Sequence, residues 1–465
     1  MKKSEYVILG FILLLYAFVK FQGISYSISD ENTYFFMAKT LADGKLPYRD
    51  FFLSHPPLQI LVLALAIKVS GVHFILLKLV STLFIAGAGI LLYLLGKRLY
   101  GRVVGFLALL LFLFSFDSLR FSTFGSGISI TLFFLVLGYY LHFLERHAFA
   151  GASFALAVLT SYLAAPFGAF YIGYLFFKDR KGVLKAGLGF FGVILFALIA
   201  LFSFSGWDFV EQTVLYHLAK PSSGTARFSL LFKQFFGEWL LFFPLLFLPF
   251  SKKARGHLIL GSIVAYLLFL LSFQKPFAFY YFLLYPFLAL LSASVVAGIG
   301  WMAHVKLTAA KHHVVFVLFF IVAALSSYSA FSYLIDNRQE VKAIPEMVEY
   351  INSHTTYSDS LFGDDSLVPL IALLSDRRIS LDFLDLNNLR FRSLPGLAEE
   401  TIERLKGSDL KYYLDYQIQI GNLVGRNGPS ALDEFQAFLE EECSVEKAFS
   451  EEVEEQGRTY TLYSC

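Results

Sequence analysis

Residues 57–70 read Pro57-Leu58-Gln59-Ile60-Leu61-Val62-Leu63-Ala64-Leu65-Ala66-Ile67-Lys68-Val69-Ser70, and the fold turns on whether this apolar stretch crosses a membrane. A bilayer-spanning helix takes about 20 apolar residues, and runs of about 10–14 lie at the surface or re-enter. Parity gives the same answer. If 57–70 crossed, Lys97-Arg98 in the next polar loop would fall on the outer face, against the preference of basic loops for the cytoplasm. The stretch is therefore read as a short surface helix, and Gln59 and Lys68 suit that position.

Working outward, the composition is that of a polytopic membrane protein. Of 465 residues, 57% are hydrophobic and 16% charged, with mean hydropathy +0.63; soluble domains carry about 25% charged residues. Aromatics reach 18%, with 54 Phe, as lipid-facing helices and interfacial belts require. The net charge of +2 hides an asymmetry: residues 1–335 hold 26 Lys/Arg and 11 Asp/Glu, whereas 336–465 hold 12 and 25. That shift marks a boundary between a basic apolar part, 1–335, and an acidic polar part, 336–465. No basic patch of the nucleic-acid-binding kind accompanies it. The run from Tyr6 to Phe21 follows Lys2-Lys3 without an Ala-x-Ala-like cleavage site, and is read as a retained first helix.

About eleven spans are expected, near 5–22, 73–95, 103–117, 127–144, 148–164, 166–177, 183–205, 236–250, 257–273, 277–299 and 314–335. One set of loops is basic: Lys2-Lys3, Lys97-Arg98 with Arg102, Arg146, Lys178 to Lys185, Lys252-Lys253-Arg255, and Lys306 with Lys311. These take the cytoplasmic side. The first outer loop, 23–72, then lies outside with 118–126, 206–235, 274–276 and everything after 335. A cell-membrane location follows, with the N-terminus cytoplasmic and the polar part extracytoplasmic. That part alternates helical and extended patterns and reads as a small α/β domain. Helices are expected at 344–353, 367–374, 397–406 and 431–442, and extended segments at 360–363, 378–381, 410–416, 445–449 and 459–463. It lacks a Gly-rich phosphate fingerprint, and is expected to shield or shape a site. Cys443 and Cys465 both fall in it; two cysteines can pair or stay free.

Carboxylates are scarce in 1–335, and most fall in outer segments: Asp30, Glu31, Asp43, Asp50, Asp117, Asp208, Glu211 and Glu238. The densest group runs Asp30-Glu31-Asn32-Thr33-Tyr34, then Gly44-Lys45-Leu46-Pro47-Tyr48-Arg49-Asp50-Phe51-Phe52, then His55-Pro56-Pro57-Leu58. Each piece has a plain reading. Ser29 or Asp30 can N-cap a helix near 31–43, Pro56-Pro57 can open a short helix, and a loop histidine usually only hydrogen-bonds.

In this order, just after the first span, the set resembles the first outer loop of the GT-C glycosyltransferases. The branch it resembles is family 39-like, which includes protein O-mannosyltransferases and the lipid A aminoarabinose transferase. The resemblance spans the topology of 1–335 and is motif-level over some thirty residues. It implies sugar transfer from a polyprenyl-phosphate donor to a hydroxyl on a protein, lipid or glycan acceptor. Asp30 is implied as catalytic base or acceptor-positioning group, with Glu31 as neighbour and substitute. A carboxylate within reach takes the hydroxyl proton as the new bond forms, and the leaving phosphate needs Lys, Arg or a metal. Lys275, before Tyr280-Tyr281, resembles the basic residue of the family's late outer loop, which borders the lipid phosphate. Lys220, Arg227 and Arg49 are further options, and Tyr34, Asp50 and His55 complete the substrate-binding set. Interfacial Lys and Tyr also anchor helices in many membrane proteins.

One departure concerns the second outer loop. Related transferases often carry a second Asp there, where this chain has Ser122-Thr123-Phe124-Gly125-Ser126-Gly127. Either Asp117 takes over or the second carboxylate is missing. No obligatory metal is expected; Mg²⁺ or Mn²⁺ on Asp30, Asp50 and His55 is the alternative. The rival function is a transporter or flippase of a lipid-linked or small solute. Transporters usually place ionisable residues or broken helices near the midplane, whereas here the polar groups gather in outer loops. A scaffold presenting the acidic domain would leave the loop pattern unexplained. Acceptor choice is expected from the C-terminal domain and from 206–235, which holds Trp207, Tyr216 and His217.

Overall fold

The computed structural model describes residues 3–121, 124–219, 227–250, 256–272, 277–306, 328, 331–332, 340–420, 423–426, 428–453 and 456–465. The chain divides into two compact units. The first comprises Met1–Ile24, Lys78–Ile199 and Ser222–Asn337; the second comprises Ser25–Leu77, Ala200–Pro221 and Arg338–Cys465. Most of the first outer loop thus folds in the same unit as the acidic C-terminal part.

The first unit is helical. Helices Lys3–Gln22 (α1), Phe74–Leu99, Arg180–Ser205 and the stretch Ala278–Gly298 are long and apolar enough to cross a membrane, with 20, 26, 26 and 21 residues. Leu184, Leu188, Phe196 and Ile199 on the third are exposed, as a lipid-facing surface would be. Shorter apolar helices run Arg102–Leu113, Ile128–Phe143, His147–Thr160 and His257–Ser272. Tyr93, Phe112, Tyr139, Phe154, Phe167, Tyr266 and Tyr285 are fully buried in the core between helices. Small residues allow close approach. A Cβ on Gly151 would sit 2.0 Å from the Ala186 carbonyl oxygen, and one on Gly189 would sit 1.9 Å from that of Ala148. At one end of the bundle, Glu5 pairs with Lys97 at 2.6 Å and Arg102 at 2.5 Å, joining α1 to the basic loop.

Three expected spans differ in detail. The one near 103–117 stops at Leu113, and a short helix, Phe116–Phe121, follows. The one near 236–250 is broken at Glu238, where Ser229–Gly237 and Trp239–Leu246 meet at 88°. Nearly all of 314–335 lies outside the described residues. By length and composition, four described helices qualify as spans, or five if the bent pair counts as one.

In the second unit, the segment between α1 and Phe74 forms two short helices, Glu31–Ala42 (α2) and Leu58–Ser70 (α3). The second has 13 residues and ends at Gly71, whose φ of +78° turns the chain into the next helix. Residues 208–219, expected as loop, are helical, in the segments Asp208–Val210, Glu211–Leu215 and Tyr216–Ala219.

The acidic part is built on one six-stranded mixed sheet. Its strands are β1 Ser360–Gly363, β2 Arg378–Ile379, β3 Leu410–Ile420, β4 Leu423–Arg426, β5 Ser444–Val453 and β6 Gln456–Ser464. The order is β2-β1-β3-β6-β5, with β4 also on β3. β1 is parallel to β2 and β3, and the other pairs are antiparallel. Helices Ile344–His354, Leu367–Ser375, Leu397–Lys406 and Asp433–Glu442 form close to the expected positions. The extended reading of 378–381 is corrected: only Arg378 and Ile379 pair, and Ser380–Asp382 turns into a 3₁₀ segment with Leu381 at φ +59°. A disulfide joins Cys443 to Cys465 beside the β5–β6 pair.

Candidate functional site

The site grows from the start of α2. Asp30 stands at the N-cap position of α2, as the sequence allowed, but its side chain makes no capping hydrogen bond. Glu31 is 2% exposed and accepts from Ser29 Oγ at 3.1 Å and Ser27 Oγ at 3.4 Å. The two adjacent carboxylates therefore separate. Glu31 is tied into its own turn, and Asp30 lines a cavity.

The far wall of that cavity comes from the acidic part. β1 ends at Gly363 with φ +133°, where a Cβ would lie 2.0 Å from the Leu414 carbonyl oxygen, so only glycine fits this close strand-to-turn passage. The chain then delivers Asp364, Asp365 and Ser366 to the start of helix Leu367–Ser375. Asp364 Oδ1 accepts from the backbone N–H groups of Ser366 (3.0 Å) and Leu367 (2.8 Å), satisfying orphan donors of that helix. Two side chains of α2 bond to this turn. Asn32 Nδ2 donates to the Ser366 carbonyl at 2.9 Å and Thr33 Oγ1 to the Asp365 carbonyl at 2.8 Å. The resulting cavity, ≈ 430 Å³, is lined among others by Asp30, Asp365, Asn387, Asn388, Tyr416 and Arg458.

Its electrostatics follow from burial. Asp364 is fully buried, and desolvation pushes its carboxyl up to about 6 against those two N–H bonds, with Asp415 and Asp30 adding to the rise. Asp365 is pushed well above the usual carboxylate range by desolvation, then by Asp364 and Asp30. Two carboxylates facing one space hold a proton more readily than either alone.

The rest of the loop is cross-braced. Arg49 Nε and Nη2 donate to Asp50 at 2.8 and 2.9 Å, and the Leu46 N–H donates to Asp50 Oδ2 at 2.7 Å. Arg49 first, and then this N–H, hold the Asp50 carboxyl below its usual range. Tyr48 Oη donates to the His55 carbonyl at 2.8 Å. Gln212 accepts from the Leu53 N–H at 2.9 Å and donates to the Tyr48 carbonyl at 2.8 Å. Tyr34 meets the His55 ring edge-on at 5.7 Å, and His55 lies 5.5 Å from the His217 ring. Arg390 stacks between Phe52 and Phe383 at 3.9 and 4.0 Å. Among the described residues, no three His, Cys, Asp or Glu side chains converge as metal ligands.

The remaining candidates belong to the helical unit. Asp117 is 4% exposed; its carboxylate accepts from Tyr285 Oη at 2.6 Å, and its N–H donates to Glu238 Oε1 at 2.6 Å. The Tyr280 carbonyl accepts from Tyr266 Oη at 3.1 Å. Tyr281 is 1% exposed, its hydroxyl without a hydrogen-bond partner among the described residues. Arg227 opens the helix Arg227–Gly237, while Lys220 and Lys275 lie outside the described residues. Asp365, Asn387 and Arg458 were not singled out in the sequence. The one signal for Asp365 was a Gly-Asp-Asp turn directly after a strand.

Comparison with known proteins agrees with this architecture. Residues 54–207 match the family model described as dolichyl-phosphate-mannose-protein mannosyltransferase. The fold is shared with ArnT from Cupriavidus metallidurans bound to undecaprenyl phosphate, at TM-score 0.63 and 14% identity over 99% of this chain and 98% of that one. It is shared with the Archaeoglobus fulgidus oligosaccharyltransferase in its apo form, at TM-score 0.59 and 11% identity over 92% and 75% of the two chains. The same organism's AglB in complex with an inhibitory peptide and a dolichol-phosphate matches at TM-score 0.56 and 11% identity, again over 92% and 75%. No curated protein matches by sequence. The resemblance read in the first outer loop is met by the family model over residues 54–207 and by the shared fold.

Proposed function

We propose that this chain is a GT-C glycosyltransferase that moves a sugar from a polyprenyl-phosphate carrier to an acceptor hydroxyl, with Asp30 as the base; the family model over residues 54–207 and the shared fold support the reading. The observation that carries the reading is the separation of the two carboxylates at the start of α2: Glu31 is bonded into its turn and Asp30 lines the cavity. In the transfer, the acceptor O–H bond breaks and its proton passes to Asp30. The hydroxyl oxygen bonds to the sugar C1 as the bond from C1 to the phosphate oxygen breaks. The electron pair leaves with the polyprenyl phosphate, which needs a cation to receive its charge. Lys275 is the first choice for that role, with Arg227 and Lys220 behind it. Arg49 is a weaker choice because Asp50 already holds it at 2.8 Å.

The chemistry takes place on the outer face of the cell membrane, with about eleven spans and an extracytoplasmic acidic domain. Loop charge supports this orientation. So does the Cys443–Cys465 disulfide, since such bonds persist in oxidising compartments. Tyr34 and His55, which meet edge-on at 5.7 Å, border the substrate, and Tyr280 borders the lipid phosphate, with Tyr281, 1% exposed, packed behind it. The test is Asp30→Asn in purified protein supplied with polyprenyl-phosphate sugars. Transfer and donor hydrolysis should fall by about 10²-fold or more in a protein that still inserts and folds. Normal turnover in that variant would remove Asp30 from the mechanism.

A further inference from the structure

We propose that the cavity shared by Asp30 and Asp365 is the acceptor subsite, and that it selects a neutral, polyhydroxylated acceptor, a sugar. This rests on the glycosyl-transfer reading and goes beyond the shielding role expected of the acidic part. It assigns the substrate-binding carboxylate Asp365 to the C-terminal domain.

The argument is one of complementary hydrogen-bonding capacity. The cavity, ≈ 430 Å³, falls within the range of about 300–1,000 Å³ typical of small-molecule sites. Asp30 and Asp365 lie on its wall with Arg458, Asn387 and Asn388. Arg458 is 8% exposed, and its Nε is buried with no hydrogen-bond partner among the described residues. Its only ion-pair contact among the described residues is Glu451 at a loose 3.7 Å. Arg458 brings to the wall a guanidinium, a group with N–H donors and no acceptor, while its Nε itself is closed off from the cavity. Asn387 spends its Oδ1 on the Leu389 N–H at 2.9 Å, which leaves its amide N–H groups as donors.

Consider three kinds of ligand against that wall. An anion would satisfy Arg458 but face the Asp30 carboxylate across the same space. A cation would satisfy the carboxylates and gain nothing from Arg458 or the amides. A hydroxyl donates and accepts, so several hydroxyls on one rigid ring satisfy carboxylates, guanidinium and amides together. Tyr416 adds an aromatic ring to the wall. Asp365, held high by desolvation and by Asp364 and Asp30, can also donate to a sugar oxygen when protonated. The side chains of Asn32 and Thr33, donating to the Ser366 and Asp365 carbonyls, tie this wall to the helix that follows Asp30.

The test titrates methyl glycosides of a neutral hexose, a hexuronic acid and an amino sugar into the full chain in detergent, read by saturation-transfer NMR. The same preparation is assayed for turnover of a polyprenyl-phosphate sugar. The neutral glycoside should bind saturably, about 10-fold tighter than the hexuronate. Asp365→Asn and Asn388→Ala should each weaken it about 10-fold with the thermal transition intact. Absence of glycoside binding, preference for the acidic or amino sugar, or wild-type affinity in both variants would overturn the proposal. Binding as expected without donor turnover would overturn the transferase reading and leave the subsite standing.

Discussion

The side-chain hydroxyl of Thr33 donates to the backbone carbonyl of Asp365 at 2.8 Å, joining residues 332 positions apart. With Asn32 on Ser366 at 2.9 Å, it couples the helix after Asp30 to the turn that carries the second carboxylate. Asn32 is fully buried, so Asn32→Ala leaves unpaired carbonyls and should cost about 1–3 kcal/mol. Thr33→Val should cost less. Both should lower sugar transfer more than they lower the melting temperature, because the wall opposite Asp30 loses its register. Unchanged transfer in both variants would mean that the coupling has no part in catalysis.

Asp364 makes stability depend on pH. Its carboxyl is raised from 3.8 to about 6 in the folded chain, so the folded state binds the extra proton between those values. The stabilisation is fully present below the lower value and is lost as pH rises through about 6. Asp364→Asn keeps an oxygen for the Ser366 and Leu367 N–H groups and puts an amide where Oδ2 has no partner. That variant should unfold with a flatter pH profile than the parent over this interval. Parallel profiles would refute the assignment.

Gly363 should not tolerate a side chain. Gly363→Ala combines a φ of +133° with a Cβ 2.0 Å from the Leu414 carbonyl oxygen. Strain of this kind costs about 1–3 kcal/mol before the β1–β3 pairing shifts. The expected result is a lower melting temperature with loss of transfer. By contrast, Gly407→Ala, with open space around it, should behave as the parent.

The Cys443–Cys465 bond should be detectable as a mobility difference between reduced and non-reduced protein. Cys443→Ser should destabilise the acidic domain by about 2–4 kcal/mol. If the domain is extracytoplasmic, membrane-impermeant maleimide should label the remaining Cys465 in intact cells. A cysteine at Trp207 should label in the same way, and labelling only after permeabilisation would invert the topology.

Several elements were legible because their cause is local. Leu58–Ser70 is short in the structure because its apolar run is short, and β1 and the helix Leu397–Lys406 occupy the residues their patterns indicated. The helix Asn388–Ser393 and strand β4 were not legible. The first is a single short turn of helix, capped by Asn387, and the second exists only by pairing with β3. Asn387 and Asn388 reach the cavity wall through that short helix, so two of its polar groups had no sequence signature.

What the sequence determined by itself is the short helix after Pro57 and the placing of Asp30 and Glu31 just beyond the first long apolar helix; that residues 25–77 and 200–221 fold in one unit with the acidic part was decided by tertiary structure. Hydropathy, loop charge and residue order act over a few turns of chain, and each can be read without knowing what packs where. Tertiary structure decided which of the two adjacent carboxylates faces a cavity and what stands across from it. That choice depends on bonds between residues more than 300 positions apart, Asn32 to Ser366 and Thr33 to Asp365. No local pattern encodes those contacts, because their partners meet only when the outer loop and the acidic sheet fold as one unit.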